Sequence, residues 1–185
     1  MRLNAAAVRL FGENGYDATS IADIARVASM PVGGFYQHFR SKRQLLLSLM
    51  NQLLIGLSQI NLQPGEHADA RDIVRDLLER GFSEDLRYLG AYRAWQEAVL
   101  TDHNLARKQA QILNWTSARA AAAFRQLQRL PNARPRVNVD ALARVLDSLF
   151  WHLLAQASHN RDVNLRRSVE TTTHLIYHAL FMDRL

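Results

Sequence analysis

Apolar positions along this chain recur with the three-to-four-residue period of helices, and no segment alternates as a strand does. Leu3, Ala7, Leu10 and Phe11 share one helical face, and Gly15 after Asn14 is suited to cap that helix at its C-terminus. Ser20-Ile-Ala-Asp23 has the form of a capping box, ahead of a short stripe of Ile21, Ile24, Ala25 and Ala28. Ser29-Met30-Pro31 interrupts the pattern, since a residue before proline is driven out of the helical region and proline suits a first helical turn. A third short helix then carries Val32, Phe35 and Phe39 on its inner face.

Longer helices follow. Leu45, Leu46, Leu49, Met50, Leu53, Leu54 and Leu57 mark a fourth, ending near the Pro64-Gly65 loop. Val74, Leu77, Leu78 and Phe82 mark a fifth, and Tyr88, Tyr92, Trp95 and Val99 a sixth. A seventh runs from about Asn104 to Leu127 and stops at the loop between Pro131 and Pro135. An eighth has a wide apolar face from Leu142 to Leu154, and a ninth carries Val169, Thr173, Ile176 and Leu180 on one side. The expectation is an all-α protein of about nine helices, divided into residues 1–44, a unit of three short helices, and residues 45–185, a larger unit of longer ones.

Composition narrows the class. With 185 residues, 48% of them hydrophobic, the chain has enough apolar surface for a substantial core, and it has no cysteine for a disulfide, thiol catalysis or a Cys-type zinc site. Its apolar runs are broken by charge before they reach membrane-spanning length, and Asn4, Arg9 and Glu13 interrupt what would be a signal-peptide core, so a cytoplasmic protein without membrane partners is expected. The net charge is +6, and its density is N-terminal: residues 1–50 hold six basic against three acidic side chains. A cationic surface of that kind points to an acidic partner.

Two short helices joined by a tight turn, the second followed by cations, form a helix-turn-helix pattern, whose second helix enters the DNA major groove. Gly33 and Gly34 let backbone come close to the nucleic acid, Tyr36, Gln37 and His38 offer hydrogen bonds from the outer face, Phe35 and Phe39 anchor the inner one, and Lys42 reaches a flanking phosphate.

These residues resemble the tetracycline-repressor (TetR) family of bacterial transcription factors. The matching positions are Ala7, Leu10-Phe11, Gly15-Tyr16, Thr19-Ser20, Ile24-Ala25, Ala28, Gly33, Tyr36, His38-Phe39, Ser41-Lys42 and Leu45-Leu46, about a quarter of the chain. The resemblance implies that Thr19, Tyr36, His38 and Lys42 hold the phosphate backbone, that Val32, Gly33, Gly34 and Gln37 face base edges, and that Ser20 belongs to the same DNA-binding set. This chain departs from the family pattern at Ser29, where a turn glycine is usual, at Pro31 in place of a capping serine, and at Gly34 in place of a threonine or serine that often donates to DNA. Base reading is therefore expected to shift toward Gln37 and the backbone.

The function implied is that of a ligand-responsive regulator, a repressor that binds a pseudo-palindromic operator in double-stranded DNA as a homodimer. A small apolar or aromatic inducer would release it, entering between the fifth to eighth helices among Phe82, Tyr88, Tyr92, Trp95, Trp115, Phe150 and His152. The same aromatics also suit a plain core. Leu142, Leu146, Leu149, Leu153, Ile176 and Leu180 are candidates for the dimer interface. No cofactor is expected: His174 and His178 have metal-ligand spacing but no third ligand nearby. Two alternatives remain open. One is a helical small-molecule-binding or scaffold protein with a vestigial DNA-binding motif. The other is an enzyme using Glu79, Glu97 and His103, for which no nucleophile or paired-carboxylate arrangement argues.

Overall fold

The computed structural model describes residues 2–61, 69–159 and 165–182. Within them the chain folds as α1 (Arg2–Asn14), α2 (Ile21–Val27), α3 (Val32–His38), α4 (Lys42–Gln59), α5 (Ala70–Leu86), α6 (Leu89–Thr101), α7 (His103–Leu127), α8 (Val139–His159) and α9 (Leu165–Leu180). An isolated antiparallel bridge between Ala133 and Phe181 is the one extended pairing among the described residues. The expected Pro64-Gly65 loop lies outside them. No helix among them is long and apolar enough to cross a membrane.

Local chemistry sets the first three boundaries. α1 ends because Gly15 adopts φ +82°, a left-handed conformation open to glycine at little cost, while its N–H closes on the Phe11 carbonyl at 3.0 Å. α2 starts at Ser20, whose Oγ accepts from the Asp23 N–H at 3.0 Å and donates to the Asp23 carboxylate at 2.5 Å. It ends in a Schellman motif: the Met30 N–H reaches back to the Ala25 carbonyl and the Ser29 N–H to Arg26, with Ser29 left-handed at φ 55°. A serine thus occupies the position where a left-handed turn favours glycine. α3 opens at Pro31 without a side-chain cap, and α4 opens at Ser41, whose Oγ accepts from the Gln44 N–H.

Two apolar cores hold the helices together. The first gathers α1 to α4 with α6 and adds Leu105, Ile112 and Leu154 from α7 and α8. It runs unbroken through residue 44, because Leu45, Leu46 and Leu49 pack in the same cluster as Phe11, Ile24 and Phe35. The second gathers α5, α7, α8 and α9, with Phe124, Leu127, Ile176, Leu180 and Phe181 at its centre.

The close approach of α1 and α6 has an identifiable cause. Both helices carry glycine where they cross, and a Cβ on Gly90 would stand 1.8 Å from the Val8 carbonyl oxygen. With the backbones that near, α6 takes hold of the end of α1: Arg93 Nη1 donates to the Gly12 carbonyl at 2.7 Å, and Glu97 Oε2 accepts from the Tyr16 N–H at 2.5 Å.

Candidate nucleic-acid interface and internal cavity

The turn between α2 and α3 presents one outward face. Phe35 is fully buried and fixes α3 to the first core, with the rings of Tyr36 and Phe39 against it at 5.5 and 5.9 Å. Around that anchor Val32 (43% exposed), Gly33, Tyr36 (55% exposed), Gln37 and His38 face solvent. A Cβ on Gly33 would meet nothing within 4 Å, so this glycine faces open space, whereas Gly34 lies against Met30 and Pro31. Val32 corrects one expectation, since the inner face of α3 is Phe35 alone and Val32 points outward.

Two residues expected on the phosphate backbone are differently employed. Thr19 is 1% exposed, and its hydroxyl donates to the Gly15 carbonyl at 2.7 Å, with the Leu10 carbonyl at 3.3 Å. Its oxygen is therefore sealed from solvent, and its work is to shape the segment leading into α2. Lys42 Nζ donates to the carbonyls of Tyr16 and Thr19, the latter at 2.8 Å, and lies 4.3 Å from the centre of the Tyr16 ring. Partial burial holds its ammonium below the usual lysine range. Lys42 thus staples the start of α4 to the α1–α2 loop instead of reaching outward. Ser20 is exposed but engaged as the α2 cap.

A cavity of about 170 Å³ opens between the C-terminal end of α4 and helices α5 to α8. Of the expected aromatic lining, Tyr92, Trp115 and Phe150 border it. The others do not. Phe82 lies behind Phe150, with ring centres 4.3 Å apart, and Trp95 is buried in the first core with its indole N–H donating to Gln109. Tyr88 packs against the first core at the α5–α6 junction, and His152 is exposed.

The cavity also holds charged groups that aromatic patterning does not reveal. Asp85 is 1% exposed, and the Tyr92 hydroxyl donates to its Oδ1 at 2.6 Å. Burial pushes the Asp85 carboxyl up to about 7 and raises the Tyr92 hydroxyl as well. Asp147, from α8, accepts from the Ser117 hydroxyl at 3.1 Å, and burial raises its carboxyl too. Arg119 lines the same space, its Nη2 donating to the Leu57 and Ile60 carbonyls at 3.0 and 3.2 Å and its guanidinium lying 5.1 Å from the centre of the Trp115 ring. Trp151 closes the wall edge-on to Tyr92, their ring centres 4.9 Å apart. A signal for these carboxylates existed: Asp85 follows Phe82 by three residues and Asp147 precedes Phe150 by three, which puts each on an apolar helical face.

The expected dimer residues divide. Ile176 and Leu180 are buried in the second core of this same chain, which corrects their assignment to a partner-facing surface. Leu142 and Leu146 are half-buried against that core. Leu149 and Leu153 border an outer groove with Thr171 and Leu175, and the exposed apolar residues of this face are Val145 on α8 and Leu175 on α9, 66% and 51% exposed. The rings of His174 and His178 stand 4.2 Å apart, and no group of three metal-ligating side chains occurs among the described residues.

Comparison with known proteins bears on the first of these regions. Residues 3–49 match the family model described as bacterial regulatory proteins, tetR family. Over 45 residues the chain is 44% identical to the HTH-type transcriptional regulator YuxN of Bacillus subtilis, covering 24% of this chain and 16% of that protein. Over 89 residues it is 32% identical to the HTH-type transcriptional regulator AcrR of Shigella flexneri, covering 45% and 41%. The chain therefore spans less than half the length of either curated relative. The fatty acid degradation regulator FadR from Bacillus halodurans superposes with a TM-score of 0.78 at 16% identity, covering 95% of this chain and 92% of that one, a likeness of fold alone.

Proposed function

We propose, from the match of residues 3–49 to the tetR family of bacterial regulatory proteins, that the chain is a member of that family and a ligand-responsive transcriptional repressor acting on operator DNA as a homodimer. The observation that carries this reading is the α2–turn–α3 unit: Phe35 locks a short helix onto the core while Gly33, Tyr36, Gln37 and His38 stand free on its outer face. That is the arrangement by which a recognition helix enters the major groove, and a two-fold dimer would set two such helices about 34 to 36 Å apart, one turn of DNA. Val145, Leu149, Leu153 and Leu175, apolar and partly or largely exposed on α8 and α9, supply the surface on which two copies would join.

The cavity is the effector site in this reading, and α6 is the link. Tyr92 borders the cavity, while Arg93, the next residue, and Glu97, one turn on, hold the end of α1. An effector that prefers a shifted α6 then favours dimers whose recognition helices no longer match one DNA turn.

The test is fluorescence anisotropy of the purified protein on DNA from immediately upstream of its own gene, against a scrambled control. Specific binding should weaken with salt at a log–log slope of roughly −0.9 per neutralised phosphate. Tyr36→Ala should lower specific affinity by about tenfold or more while leaving the melting temperature unchanged, since the side chain is exposed. Equal binding of the variant and the parent to the specific DNA would overturn the assignment of α3 as the reading helix.

A further inference from the structure

Resting on the reading of the cavity as an effector site, we propose that the effector is an organic cation. Its positive head would lie against Asp85 and Asp147, and its apolar or aromatic body against Trp115, Phe150 and Trp151.

Two carboxylates from different helices, α5 and α8, face one small space whose remaining walls are largely apolar. No ion pair among the described residues includes either of them. The one cation lining the space, Arg119, donates through Nη2 to main-chain carbonyls at the end of α4 and pairs with neither carboxylate. Asp85 has a neutral phenol as its hydrogen-bond partner and Asp147 a neutral hydroxyl. A buried carboxylate without a cation is costly and responds by holding its proton. A neutral apolar guest leaves that cost in place, whereas a cationic one removes it and gains the faces of the aromatic rings.

A metal ion fits less well. Hard divalent cations take six or more oxygen ligands, and two carboxylates among tryptophan and phenylalanine do not approach that number. A second chamber of about 120 Å³ shares Ala120, Asp147 and Phe150 with the first and continues between Leu78, Phe124 and Leu146, so an apolar tail has somewhere to go.

Binding of such a cation is linked to a proton. The groups facing Asp85 are Tyr92 from α6, Asp147 from α8, Arg119 across the cavity from α7, and Glu84 beside it on α5, while α4 contributes Leu57 and Ile60. With the Asp85 carboxyl at about 7, the cation must displace a proton below that pH and meets an ionised group above it. Affinity therefore rises by about tenfold between pH 6 and pH 8 and levels off beyond.

The experiment titrates the full-length protein with phenyltrimethylammonium and with its uncharged isostere tert-butylbenzene, following tryptophan fluorescence. The expected result is at least tenfold tighter binding of the ammonium compound at pH 8. Asp147→Asn should lose about tenfold of that affinity without weakening tert-butylbenzene, and Asp85→Asn should abolish the pH dependence. Binding of tert-butylbenzene equal to or tighter than the cation, or an unchanged cation affinity in both variants, would overturn the proposal and leave the cavity standing as an effector site. Binding of neither compound would overturn the cation and the effector reading of the cavity together, a result independent of whether the protein binds DNA.

Discussion

The stretch from α1 to the start of α4 and the cavity treat their polar groups in opposite ways. In the first, each is closed against main chain: Thr19 on Gly15, Ser20 on Asp23, Lys42 on the carbonyls of Tyr16 and Thr19. In the second, Asp85 is buried and Asp147 half-buried, each with a neutral hydrogen-bond partner and neither in an ion pair among the described residues. A satisfied network has one arrangement and resists change, while an uncompensated carboxylate is stabilised by whatever neutralises it. In the proposed function, the reading surface is built on the rigid part and the effector site around carboxylates that no ion pair neutralises.

The contrast can be broken most severely at the rigid end. Phe35→Ala should cost about 4 kcal/mol, because the ring is wholly buried and anchors α3 with little else, and urea denaturation would measure it.

At the cavity the expected effect is of slightly smaller size and has a pH signature. The folded-state value of Asp85 lies above its unfolded value of 3.8, so the folded protein binds the extra proton and stability falls as pH rises from about 4 through 7. The loss is on the order of 3 kcal/mol after allowance for relaxation around the carboxylate. Asp85→Asn should flatten that slope, as read from melting temperatures across the range, and an unchanged slope would move the deficit to another group.

The smallest change sharpens the comparison by improving the rigid part. Ser29 holds a left-handed conformation that glycine adopts without strain, so Ser29→Gly should stabilise by about 1 kcal/mol with no loss of DNA affinity, seen as a higher melting temperature.

How much of this could be read beforehand follows the same division. Helix starts and stops depend on neighbours in sequence, which is why the Ser20 box, the Gly15 cap and the apolar stripes of nine helices correspond to elements in the structure. Side-chain targets far along the chain do not. Nothing in the spacing of Lys42 says that its ammonium folds back on carbonyls more than twenty residues earlier, so a cation that resembles a phosphate ligand becomes a staple. An inward Val32 is a false expectation because a helix of two turns is too short to define its stripe. Ile176 and Leu180 pack within their own chain, which a wide apolar face cannot announce, since it does not say whether its cover is the same chain or another. The carboxylates of the cavity are legible only as polar residues interrupting apolar stripes, a weaker signal than the aromatics around them.

The grip of α6 on α1 has an implication for how such a protein changes its specificity. Arg93 and Glu97 hold the carbonyls of Gly12 and Glu13 and the amide of Tyr16, all main-chain atoms. A joint made of main chain is indifferent to which side chains the attached unit displays. Under the proposed function, the reading face can therefore be rewritten, residue by residue or by grafting a foreign α2–α3 segment, while the connection to the cavity is inherited intact.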